Sequence, residues 1–289
     1  MTSVPALSAA AVVILMALVW ALSVRLSDAS IVDPVWGPAF VLVAVVATLA
    51  GDGDPGRRWL LLVMTAAWGL RLGLHLTRRK LGQRGEDRRY AKMRQRRGDG
   101  FALWSLGAIF GLQAVLVLIV SLPLQVAAGR PAAIGATIVP GLLVFALGLG
   151  FEAIGDEQLR RFTADPAHRG QVMDRGLWRY TRHPNYFGDA CVWWGLWLVA
   201  VPAGGVWWTV VGPLTMTLLL VRVSGKAMLE RDIGQRRPGY GEYIRRTSGF
   251  LPLPPRHAGG GSSVSQPPST AEAGGETSEP SRNGSGVLR

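Results

Sequence analysis

Seven stretches of this chain are apolar over nearly the length needed to cross a hydrocarbon layer, and nothing else in it constrains the fold as much. The runs lie at about 5–25, 34–50, 59–77, 103–122, 132–151, 186–202 and 205–223. A helix advances ~1.5 Å per residue, so ~20 apolar residues span a bilayer core. Inside that core every backbone N–H and C=O must be satisfied within the segment, which makes these runs helices. Composition agrees. Of 289 residues, 49% are hydrophobic and 17% charged, too few charges to cover a soluble protein of this size. The expected fold class is all-α: a polytopic membrane bundle of about seven transmembrane helices with a short cytoplasmic C-terminal helical segment.

The connections between runs set the orientation. "GDGDPGRR" at 51–58, "LPLQVAAGRP" at 122–131 and "VPAGG" at 201–205 are short, turn-rich and poor in positive charge. The loop 78–100, the segment 157–185 and everything after Arg222 are dense in arginine and lysine. Basic loops stay in the cytoplasm, so the N-terminus is expected outside and the C-terminus inside. The same placement accounts for the net charge of +12 through membrane lipids, and nucleic acid is not an expected partner. The single Cys191 excludes an internal disulfide, and four scattered histidines show no zinc-binding spacing, so no metal is expected. The transmembrane domain is assigned to 1–257. Residues 258–289, rich in Gly, Ser, Pro, Thr and Glu, are expected to be a disordered tail.

Chemistry concentrates in "RYTRHPNYFGDACVWWGLWL", residues 179–198. Pro184 suits the first position of a helix, whose N-terminal N–H groups and dipole make an anion site between Arg179 and Arg182. Asn185 and Asp189 lie at i and i+4, and Tyr186, Asp189 and Trp193 at i, i+3 and i+7, so each set shares one side. Gly188 lets another group approach the backbone. Phosphate contacts, an aromatic surface, an amide and a carboxylate are together what a nucleotide requires. Arginine and tyrosine at a helix end also serve as interfacial anchors, whereas Asp189, a turn inside the apolar run, points to a functional cavity. Arg71 and His75, also i and i+4, share a face of the third run. Arg71 reads as a phosphate or cavity residue, and His75 as a proton donor or a satisfied core histidine. Glu152, Asp156 and Glu157 near the boundary read as partners of nearby arginines.

"GLWRYTRHPNYFGD" followed by "RRPGYGEYIRRTSGFLPLPP" resembles the steroid 5-alpha-reductase-like membrane family, in particular its bacterial branch, and the sterol C14- and Δ7-reductases. "SIVDPVWG", "WGLRLGLHLTRR" and "DEQLRRFTADPAHRG" extend the resemblance over roughly 5–255. The resemblance implies a bacterial cytoplasmic-membrane enzyme that reduces a C=C bond of a lipidic enone (steroid, isoprenoid or fatty enoyl) with NADPH. It implies cofactor contacts from Trp178, Arg182, His183, Asn185, Tyr186 and Asp189, joined by Arg231, Tyr240, Tyr243 and Arg246. Tyr240 and Tyr243 share a helical face, which suits either the cofactor or an interfacial belt. Asp33 falls where the family carries a polarising glutamate. It is a catalytic candidate, or else the N-cap of a helix that starts at Pro34. The family's tyrosine has no counterpart, since Trp68 or Gly69 stands near its place, and His75 is the nearest donor. Two other readings stay open. One is an S-adenosylmethionine-dependent methyltransferase of the isoprenylcysteine or phospholipid type, with Glu230 as its key residue; the other is a non-catalytic lipid-binding protein.

Overall fold

A computed structural model describes residues 3–83, 85–223 and 239–256. The described chain is an all-α membrane bundle without a strand; its one β-bridge joins Thr181 to Ser248. Its elements are α1 (Val4–Leu26), α2 (Val32–Ala50), α3 (Pro55–Leu81), α4 (Arg88–Arg97), α5 (Phe101–Ser105), α6 (Leu112–Val120), α7 (Leu122–Ala127), α8 (Val139–Ala164), α9 (Pro184–Ala200), α10 (Val211–Leu218) and α11 (Tyr240–Arg246). A π-helical stretch, Leu106–Gly111, joins α5 to α6. Five stretches are long and apolar enough to cross a membrane: Val4–Leu26, Ala29–Ala50, Pro55–Leu81, Arg88–Val120 and Ala136–Ala164. The last two expected runs form the shorter α9 and the apolar helix Trp207–Arg222. Ile14, Leu18, Val63, Leu103 and Leu143 are each more than half exposed, an arrangement that a lipid environment favours and water does not.

Local chemistry sets the helix starts. Asp54 caps α3 by accepting the Arg57 N–H at 2.8 Å, and Asp87 caps α4 by accepting the Arg89 N–H at 2.9 Å. Pro55 and Pro184 occupy the first positions of α3 and α9, where no N–H partner is lost.

Three expectations need correction. The basic loop 78–100 contains the helix α4. The run expected at 132–151 instead starts its helix at Val139, with Pro140 in the first turn, and continues to Ala164. The polar residues 152–157 therefore belong to the helix rather than to its edge. Finally, α2 starts at Val32, so Asp33 sits in its first turn and caps nothing. The tail 258–289, Glu230 and Arg231 lie outside the described residues.

Close glycine contacts hold the centre together. Gly37 meets Gly69 between α2 and α3, while Gly141 and Gly148 of α8 meet Gly195 and Gly188 of α9. Each pair is too close for a side chain, which is how helices pack when lipid supplies no hydrophobic drive. Phe40, Trp68 and Trp193 fill the space between α2, α3 and α9, with ring centroids 4.6–5.5 Å apart.

Candidate functional site

Three helices each contribute a polar pair spaced i, i+4, and the three pairs converge. The pairs are Arg71 and His75 from α3, Glu152 and Asp156 from α8, and Asn185 and Asp189 from α9. The Arg71 guanidinium donates to Glu152 Oε1 at 2.5 Å and, through its other nitrogen, to Asp156 Oδ2. Asn185 Nδ2 donates to Asp156 Oδ1 at 3.1 Å, and His75 Nε2 lies 3.8 Å from Asp156 Oδ2. Glu152 and Asp189 are buried, with 2% and 9% of their surface exposed. One oxygen of each, Glu152 Oε2 and Asp189 Oδ1, is buried without a hydrogen-bond partner among the described residues. Arg71 and His75 keep part of their side chains exposed, so the cluster opens toward the end of the bundle where α3 ends and α9 begins.

The cluster depends on the α8–α9 crossing. Gly188 precedes Asp189 and packs on the backbone of Glu152, which brings the two acids onto one level. Below them, Trp193 packs edge-on against Trp68, with centroids 5.3 Å apart, and closes the floor. At the mouth, the rings of His183 and Tyr186 stack at 5.1 Å with an interplanar angle of 9°.

The remaining residues of the 176–189 motif clamp the C-terminal segment. The Arg182 guanidinium donates to the carbonyls of Ile244 and Thr247 at 2.9 and 2.6 Å. The Tyr243 hydroxyl donates to the Trp178 carbonyl at 2.6 Å, and the Trp178 indole donates to the Gly155 carbonyl at 3.0 Å. Arg246 pairs with Asp174. Thr181 bridges to Ser248, and the Leu253 N–H donates to the Tyr180 carbonyl at 3.0 Å. Tyr240 is buried beside Tyr243, with ring centroids 5.8 Å apart. Burial raises the Tyr243 phenol well above its ordinary value, so it stays neutral and donates. Trp178, Arg182, Tyr243 and Arg246 thus have structural partners, and the expected phosphate contact from Arg182 would compete with two carbonyls already bound.

Asp33 lies on the same end of the bundle in a second group. It accepts from the Tyr90 hydroxyl at 2.7 Å and from Arg89 at 3.0 Å. A cleft lined by Ser30, Asp33, Arg79, Lys80 and Asp87 borders it. Next to it, Lys80 donates to Asp28 at 2.5 Å and to Ser30 at 2.6 Å, and Glu86 binds Arg94 through two 2.9 Å contacts. Burial works against the Asp28 carboxylate, but the Lys80 and Ser30 hydrogen bonds outweigh it and hold Asp28 below its usual range. Asp87, also desolvated, is likewise held down by Arg89.

Sequence reasoning missed three members of these groups. Glu152 and Asp156 do pair with an arginine, but with Arg71 inside the bundle; Glu157 alone pairs outward, with Arg160 and Arg161. An acid four residues before another, at the end of an apolar run, was the available signal. Tyr90 gave a weaker one, as the only aromatic side chain in a helix otherwise dominated by arginine.

Chemically, the buried cluster offers one guanidinium to three carboxylates and is rich in acceptors. It suits a ligand group that brings hydrogen-bond donors or positive charge.

One family model, described as "Protein of unknown function (DUF1295)", matches residues 19–247, a range that takes in both groups and the clamp as far as Thr247. No curated protein and no solved structure matches the chain.

Proposed function

The chain belongs to the DUF1295 family of membrane proteins, and from that premise we propose that it is an NADPH-dependent reductase of a C=C bond in a lipidic enone. The observation that carries this reading is the convergence of Arg71, His75, Glu152, Asp156, Asn185 and Asp189 into one buried cluster with unsatisfied oxygens. Polar groups are retained at such cost inside a membrane bundle where a ligand uses them. The resemblance of the 176–189 and 236–255 motifs to steroid and sterol reductases supports the choice of reaction.

The residues fit a phosphorylated, aromatic cofactor. The His183–Tyr186 stack offers a flat surface, Asn185 and Asp189 offer an amide and a carboxylate, and Arg79 and Arg89 put positive charge on the same end of the bundle, beside Asp33. NADPH, when bound, supplies the hydride. The chain's part is to orient the cofactor, exclude water and hold a hydrogen-bond donor at the substrate oxygen. Trp68 and Trp193 seal the floor against water. Asp33 and Tyr90 form the donor group in this reading: a phenol anchored by a carboxylate that Arg89 also holds. This pairing supplies the carboxylate and tyrosine that the resemblance calls for, with the tyrosine brought from α4 rather than from the third run.

The test is NADPH oxidation by detergent-purified protein against steroid, fatty enoyl and isoprenoid enones. Asn185→Ala is expected to weaken NADPH binding at least ~10-fold, the scale of a lost hydrogen bond to a charged group. Tyr90→Phe is expected to lower kcat while leaving NADPH binding intact. Equal NADPH binding by wild type and Asn185→Ala would overturn the site assignment.

A further inference from the structure

Two buried acids each keep one oxygen without a hydrogen-bond partner among the described residues. Glu152 Oε2 and Asp189 Oδ1 come from different helices, and each belongs to a residue at least nine-tenths buried. The Gly188 contact with the Glu152 backbone brings these residues together at one level of the bundle. A buried polar atom left unpaired is rare in folded proteins and calls for an explanation. The Arg71 and Asn185 donors that reach the cluster are already committed, and the indole N–H groups of Trp68 and Trp193 beneath it are not bonded to either acid. Arg71 is used on Glu152 Oε1 and Asp156 Oδ2, and Asn185 Nδ2 on Asp156 Oδ1. Nor does the charge balance, since three carboxylates of the cluster share one arginine.

We infer that Glu152 and Asp189 form a nitrogen-recognition subsite, in which two carboxylate oxygens accept hydrogen bonds from a primary amide or an ammonium group of the bound ligand. A carboxylate can only accept, so the subsite selects donors and repels phosphate and carboxylate. It also explains why so acidic a cluster belongs to a site whose positive charge lies at the rim: the two ends recognise opposite ends of one ligand. This inference rests on the proposed dinucleotide reading for one of its two sources, the carboxamide of a nicotinamide ring. The other source with the same chemistry is the ammonium of S-adenosylmethionine.

Binding to the detergent-solubilised full chain separates the cases. The probes are NADP⁺, its nicotinic acid analogue, in which a carboxylate replaces the carboxamide, and S-adenosylmethionine. Calorimetry is read on wild type, Glu152→Gln and Asp189→Asn, with size-exclusion profiles as the check of folding. Wild type is expected to bind NADP⁺ at least ~10-fold more tightly than the acid analogue, on the scale of one hydrogen bond to a charged group. Either substitution is expected to shrink that preference by weakening NADP⁺ and strengthening the acid analogue, a reversal that general loss of structure would not produce. Should NADP⁺ and the acid analogue bind wild type equally, the dinucleotide reading stands and the subsite falls. Binding of S-adenosylmethionine alone, weakened by both substitutions, keeps the subsite and overturns the reductase. Binding of neither class overturns both.

Discussion

Gly188 packs against Glu152 so tightly that a methyl group added to it would fall 2.5 Å from the Glu152 nitrogen. That contact brings the acid of α9 and the acid of α8 together at one level. Local helix geometry does not, because it governs only residues of the same helix.

Gly188→Ala is therefore expected to force α8 and α9 apart. Overpacking of this kind costs ~1–3 kcal/mol, which a thermal-shift assay in detergent reads as a lower Tm. An unchanged Tm together with unchanged ligand binding would show that the crossing tolerates a side chain and does not set the site.

Arg71→Met removes the guanidinium that Glu152 and Asp156 share. Leaving buried charges unpaired costs ~3–5 kcal/mol, with the lower end expected because Arg71 is partly exposed. Adding Glu152→Gln to Arg71→Met is expected to recover part of that loss. A double-mutant cycle with no coupling would break the proposed cluster.

The clamp has a pH signature. Tyr243 is raised in the folded chain, so its contribution is complete below the ordinary tyrosine value of ~10 and is lost as pH climbs beyond it. Protection from hydrogen exchange over 240–256, taken relative to the intrinsic amide rate at each pH, is expected to hold up to that point and then fall. Tyr243→Phe, which loses the 2.6 Å bond to the Trp178 carbonyl, is expected to accelerate exchange by ~1 kcal/mol at neutral pH and to abolish the alkaline limb.

The opposite sign applies at Asp28. Its carboxylate is held below the usual range, so the stability it confers is present above the unfolded value of ~3.9 and disappears as pH falls through the folded one. Proteolytic cleavage at 85–87, which Lys80 and Glu86 fasten to the α1–α2 junction, is expected to rise as pH falls below ~3.9. Asp28→Asn is expected to show that sensitivity already at neutral pH, without an acid transition of its own. An acid transition surviving in the variant would move the effect to another group.

Some of this was readable before any coordinates. Apolar run length gave the all-α membrane fold, and Pro184 gave the start of α9. The i, i+4 spacing put Arg71 with His75 and Asn185 with Asp189 on shared faces. Such inferences work because a helix fixes the relation between residues a turn apart. Of the two readings of Asp33, the N-cap fails for the same reason, since the preference of Asp before Pro is local, and α2 starts earlier at Val32.

What the sequence by itself determined was periodic and local: helices, breakers, the basic end and which side chains lie together on one helix. Tertiary structure alone decided that Arg71 meets Glu152 and Asp156, that Tyr90 reaches Asp33, and that Arg182 holds the C-terminal segment by its carbonyls. Those partners are separated by 57 to 85 positions in the chain. Their meeting depends on how closely glycine-faced helices pack and at what level they cross, and the spacing of residues along the chain does not encode that distance.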